Sequence, residues 1–86
     1  MATVEIYTTA FCPYCFRAKR LLKSKGVPFT EYDVTMEPAE RRNMAIRANG
    51  RHTVPQIFID DTPIGGCDEL HQLEEDGALD AMLTSK

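Results

Sequence analysis

The chain has 86 residues, 43% hydrophobic and 27% charged, with three cysteines and a formal net charge of −3. That length suits one domain over residues 1–86, and this composition lies far from the low-apolar, high-charge profile of disordered chains. No window approaches the ~20 continuous apolar residues of a membrane span, Met1-Ala2-Thr3-Val4-Glu5 lacks the regions of a secretory signal, and an odd cysteine count fits reduced thiols better than a secreted disulfide framework. The expected address is therefore the cytosol, away from membranes.

Val4-Glu5-Ile6-Tyr7-Thr8 reads as a short strand, with Val4 and Ile6 on one face and Glu5 and Tyr7 on the other. A helix follows: Tyr14, Ala18, Leu21 and Leu22 recur at i, i+4, i+7 and i+8, Pro13 suits a first turn, and Gly26 before Pro28 stops it. Phe29 to Val34, rich in β-branched and aromatic residues, reads as a second strand. Glu37-Pro38-Ala39-Glu40 then opens a helix to about Ala48, ended by Asn49-Gly50. Gln56-Ile57-Phe58-Ile59 is short and nearly all apolar, the pattern of a central strand buried on both faces. Asp60-Asp61 marks a hairpin turn into a brief strand around Thr62 to Ile64, Gly65-Gly66 precedes a helix from Cys67 to about Glu75, and a last apolar turn, Leu79 to Leu83, leads to a polar tail. The order is β-α-β-α-β-β-α, whose first unit is long enough for a right-handed crossover and a parallel pair.

Charge is unevenly spread: residues 1–51 carry nine basic and five acidic groups (+4), residues 52–86 one basic and eight acidic (−7). Arg17, Lys19, Arg20, Lys23 and Lys25 crowd one segment. In an acidic chain they read as the solvated face of an amphipathic helix, and no nucleic-acid partner is expected.

Cys12-Pro13-Tyr14-Cys15 sits where the first strand meets the first helix. A thiolate is the nucleophile in disulfide exchange, and unpaired N–H groups and the macrodipole at a helix N-terminus favour it. Cys15, one turn on, lies close enough to form a disulfide with Cys12, so Cys12 can attack and Cys15 resolve. A zinc site would need a second ligand pair, and Cys67, His52 and His71 do not supply one at plausible spacing. Gly65-Gly66-Cys67-Asp68 opens the third helix, where backbone N–H groups can receive a carboxylate or form a plain cap. Cys67 alone reads as a small buried residue.

Three motifs, in this order and spacing, resemble the dithiol glutaredoxins, the short bacterial type above all, over essentially the whole chain. They are Tyr7-Thr8 with Cys12-Pro13-Tyr14-Cys15, then Thr53-Val54-Pro55-Gln56-Ile57-Phe58-Ile59, then Ile64-Gly65-Gly66-Cys67-Asp68-Glu69-Leu70. The resemblance implies an α/β thioredoxin fold: a four-stranded mixed sheet in order 2-1-3-4, flanked by three main helices and a short C-terminal helical turn. It implies a glutathione-dependent thiol–disulfide oxidoreductase with Cys12 and Cys15 catalytic and glutathione as co-substrate, without a metal. Its partners would be disulfide-containing or glutathionylated proteins, with glutathione reductase as the indirect electron source, and the chain would act as a monomer.

By the same resemblance Pro55 is cis, the Val54 backbone beside Cys12 pairs with the peptide backbone of glutathione, and Thr53, Val54 and Pro55 are binding residues. Gly66, Cys67 and Asp68 hold its γ-glutamyl end, and Tyr14 flanks the sulfur. One departure is Thr9, where many glutaredoxins carry a lysine that holds the glycyl carboxylate and favours the thiolate. Arg42, on the second helix, is the compensating candidate. A thioredoxin-reductase-dependent enzyme of the same shape is the nearest alternative, opposed by Asp68 and Thr53-Val54. An iron–sulfur carrier is opposed by Pro13 and Tyr14.

Overall fold

The computed structural model describes residues 2–84 and runs β1 (Val4–Thr8), α1 (Pro13–Ser24), β2 (Thr30–Asp33), α2 (Pro38–Arg47), β3 (Gln56–Ile59), β4 (Thr62–Gly65), α3 (Cys67–Glu75) and α4 (Leu79–Thr84). The strands lie in the order β2-β1-β3-β4. β1 and β2 are parallel, while β3 is antiparallel to both β1 and β4. This is the mixed four-stranded sheet of the thioredoxin fold.

Strand alternation sorts the core into two layers. Val4 and Ile6 of β1 and Ile57 and Ile59 of β3 pack with Ala18 and Leu22 of α1, Leu70 of α3, and Leu79 and Leu83 of α4. Tyr7 and Phe58 instead join Val34, Met44 and Ala48. Each fully buried Leu or Ile stabilises the fold by roughly 1.5–3 kcal/mol, and the first layer holds most of them. All four residues of β3 are buried, as its apolar run predicts. Asp60 and Asp61 both take positive φ, 51° and 67°, as a tight two-residue hairpin turn requires.

Three expectations shift. β2 is shorter than Phe29 to Val34, although the Val34 N–H still bonds the Thr8 carbonyl at 2.8 Å as the chain leaves the sheet. The buried stripe of α1 is Cys15, Ala18 and Leu22, whereas Tyr14 is 56% exposed. Tyr14 matches the helical period but sits in the first turn, outside that buried stripe. The polar tail expected after Leu83 falls mainly on residues 85–86, outside those described.

A polar network fastens α2 to the sheet. Arg47 Nη2 donates to Glu5 Oε1 at 2.8 Å and Arg47 Nη1 to Tyr7 Oη at 2.9 Å, while Tyr32 Oη donates to Glu5 Oε2 at 3.0 Å. The Arg47 guanidinium also lies 4.0 Å from the centroid of the Phe58 ring. The Arg47 hydrogen bond holds the Glu5 carboxyl below its ordinary 4.5, against burial. Hydrogen bonding to Glu5 pushes the Tyr32 phenol up. With its side chain only 15% exposed, Glu5 is poorly screened by water.

Glu5→Gln should therefore lower the unfolding free energy at neutral pH by roughly 1.5–3 kcal/mol, the range for a hydrogen bond to a charged group. The folded pKa lies below the unfolded one, so this contribution is complete above about 4.5 and is lost as pH falls through the folded value. Urea unfolding of both proteins at neutral and strongly acidic pH should show the gap closing in acid. An unchanged gap would reject the ionised pairing.

Candidate active site

Because Tyr7 of β1 stands opposite Gln56 of β3 in an antiparallel pair, the chain leaves β1 and enters β3 at the same end of the sheet. Cys12 caps α1 there with extended backbone (φ −136°, ψ 98°), and its Sγ accepts the Cys15 N–H at 3.1 Å. That geometry directs a helix-terminal N–H at the sulfur and favours the thiolate when the pair is reduced. Pro13 occupies the first helical position, where its missing N–H costs no hydrogen bond. Cys12 and Cys15 are joined by a disulfide, their Cα atoms 5.2 Å apart. Cys12 is half-buried and Cys15 buried, so an incoming sulfur reaches Cys12 first.

The loop entering β3 lies beside this sulfur. The Val54–Pro55 peptide is cis, and Val54 O is 3.9 Å from Cys12 Sγ. Gln56 Nε2 donates to Thr53 O at 2.9 Å and to Thr53 Oγ1 at 3.2 Å, and Arg41 Nη2 donates to His52 O at 3.0 Å. Two elements thus anchor the loop from behind.

Facing the loop is the start of α3. At Gly66 a Cβ would come 3.3 Å from Pro55 O, so the missing side chain lets the two segments approach. Gly65, at φ +113°, yields its side-chain space to Arg51 Nη1 and to Glu69. Glu69 accepts the Gly66 N–H at 2.7 Å and lies 3.6 Å from Arg51 Nη2. The Gly66 N–H is the main cause that holds the Glu69 carboxyl below its usual value.

Between these segments runs a groove lined by Tyr14, Thr53, Val54, Pro55, Gly66, Cys67 and Asp68. Glu69, within the third motif, and Arg51, outside all three, line it too. Glu69 was legible as the third residue after a helix cap. Arg51 carried no spacing signal; its Nη1 lies where a Gly65 side chain would otherwise stand. Arg42 is exposed on α2 and outside the groove lining, while its neighbour Arg41 turns to the loop. Cys67 is buried, which pushes its thiol up despite Arg17. Among the described residues no three His, Cys, Asp or Glu side chains group as a metal site.

A sequence model described as Glutaredoxin matches residues 4–64. The chain belongs to the glutaredoxin family. It is 57% identical over 83 residues to Glutaredoxin 3 of Escherichia coli strain K12, a match covering 96% of this chain and 99% of that one. The solution structure of a glutaredoxin from Brucella melitensis superposes with a TM-score of 0.86 at 49% identity, covering 99% of this chain and 91% of that chain. The crystal structure of a buckwheat glutaredoxin–glutathione complex gives a TM-score of 0.88 at 30% identity, covering 96% and 77%. As a glutaredoxin the protein is a thiol–disulfide oxidoreductase with glutathione as co-substrate. Its redox pair is Cys12 and Cys15.

In this glutaredoxin Gly65 differs in kind from Gly77, which also has positive φ (75°) but open space where a Cβ would stand. Gly77→Ala should cost roughly 1–2 kcal/mol, the left-handed penalty alone. Gly65→Ala should cost more, because its Cβ would stand 2.8 Å from Arg51 Nη1 and 2.9 Å from Glu69 Cγ. Equal losses in urea unfolding would show that the Arg51–Glu69 pair yields freely.

Proposed function

We propose that the whole chain works as one glutaredoxin domain, a cytoplasmic monomer that reduces glutathione mixed disulfides through Cys12 alone and protein disulfides through Cys12 and Cys15. The observation that carries this reading is the position of Cys12 Sγ at the cap of α1, 3.9 Å from Val54 O and beside the groove. In the first reaction the Cys12 thiolate attacks the glutathione sulfur of a mixed disulfide, and the substrate leaves as a thiolate that takes a proton. A second glutathione thiolate then attacks the bound glutathione sulfur, and oxidised glutathione departs with the Cys12 thiolate restored. In the second reaction Cys12 captures one sulfur of a protein disulfide. Cys15 displaces it, forming the Cys12–Cys15 bond, and two glutathiones re-reduce the pair. Glutathione reductase renews the glutathione pool.

Glutathione lies in the groove with its backbone along Thr53 and Val54, beside Pro55. First-turn N–H groups of Cys67 and Asp68 receive its γ-glutamyl carboxylate, since Glu69 already occupies that of Gly66. The Asp68 carboxylate faces the ammonium, and Tyr14 flanks the sulfur. With threonine at position 9, the glycyl carboxylate falls to an arginine: Arg42 from α2, or Arg51 within the groove.

Cys12→Ser should abolish both reactions, whereas Cys15→Ser should abolish reduction of protein disulfides and keep deglutathionylation, measured with glutathione and glutathione reductase. Loss of deglutathionylation in Cys15→Ser would refute the assignment. Arg51→Ala should raise the KM for glutathione a few-fold with kcat unchanged, the scale of an exposed ion pair of up to about 1 kcal/mol. The same rise in Arg42→Ala alone would give the contact to α2.

A further inference from the structure

Around Cys12, on residues that do not line the glutathione groove, the surface is apolar and then cationic. Phe11 is 97% exposed and Phe16 68% exposed, a pair of large rings left in water beside the reactive sulfur. Ala10, Phe11, Cys12, Pro13 and Phe16 line one shallow depression, and Phe16, Lys19, Arg20 and Lys23 line the next. Phe16 belongs to both, so one continuous strip runs from Cys12 along α1. Lys19 is engaged by Glu31 at 2.9 Å, which leaves Arg20 and Lys23 as the exposed cations of the strip. No acidic residue of α1 offsets them, and Glu74 and Asp80, the acidic groups paired at the end of this helix, are taken up by Lys25.

We propose that this strip is the docking surface for the protein that carries the substrate sulfur, and that it selects acidic segments. The proposal rests on the glutaredoxin reading of Cys12 and adds the chemistry of the partner. An apolar residue next to the substrate cysteine meets Phe11 and Phe16. Arg20 and Lys23 lie eight and eleven residues along the helix from Cys12, roughly 12–16 Å at its rise per residue. An extended segment spans that in about four or five residues, which places its carboxylates there. Attraction of this kind acts mainly on encounter and is weakened by salt. Glutathione occupies the other side of Cys12, so a glutathionylated protein engages both surfaces at once.

The test uses two synthetic glutathionylated peptides, identical except for Asp or Lys about four and five residues from the cysteine. Wild-type protein at low ionic strength should give a kcat/KM about tenfold higher for the Asp peptide, the lower end of electrostatic steering, with the gap closing at high salt. The double variant Arg20→Glu/Lys23→Glu should reverse the preference, and Phe16→Ala should lower both rates. All variants should reduce the glutathione mixed disulfide of 2-mercaptoethanol as wild type does. Equal rates for the two peptides, or a preference unmoved by the double variant, would overturn the docking surface while leaving the glutaredoxin reading intact. Failure of wild type on the small mixed disulfide would remove the glutaredoxin reading and the docking surface with it. Binding of a single-stranded oligonucleotide that the double variant abolishes, with no peptide preference, would assign the strip to nucleic acid instead.

Discussion

The antiparallel pairing of β1 with β3 is the constraint on which the site depends. With Tyr7 opposite Gln56, the exit of β1 and the entry of β3 share one end of the sheet. Pairing of Ile57 with Gly65 brings the start of α3 to the same end. Three segments far apart in sequence, around Cys12, Val54 and Gly66, are thereby held side by side without long loops. The two layers keep the register, since a one-residue slip would turn Ile57 and Ile59 away from α1, α3 and α4 and bring Phe58 under them.

The segments at that end are individually ordered by polar contacts that leave the sulfur accessible. Gln56 and Arg41 hold the loop before Pro55, and Glu69 caps α3 while meeting Arg51. Each contact satisfies a backbone group or a charge in a region too open for hydrophobic packing. The opposite face of the sheet is treated similarly, with Arg47 and Glu5 joining α2 to β1 around a small aromatic layer. Such contacts suit a protein whose core is limited by its length.

Electrostatics divides the surroundings of Cys12. The groove side combines the N-terminus of α3 with Asp68, Glu69 and Arg51, charges of both signs. The α1 side is cationic and apolar. Cys67, which lines the groove, is buried, and that burial pushes its thiol up.

Much of this was legible along the chain. The alternation in β1, the buried run of β3 and the stops at Gly26 and Asn49-Gly50 follow from local sterics and periodicity, which the sequence carries directly. So does the chemistry of Cys12-Pro13-Tyr14-Cys15, because a helix start and a three-residue spacing are local properties. Tyr14, by contrast, fitted the helical period and yet faces water, because what covers a given turn of α1 is set by the sheet and not by the helix. Arg51 lines the groove in the space that Gly65 leaves free, and Arg41 rather than its neighbour Arg42 met the loop, although adjacent arginines look alike in sequence. The sequence by itself determined the elements and the reactive pair. Which charged and aromatic side chains surround that pair was decided by the tertiary structure, since these contacts join residues whose separation in the chain says nothing of their distance in space.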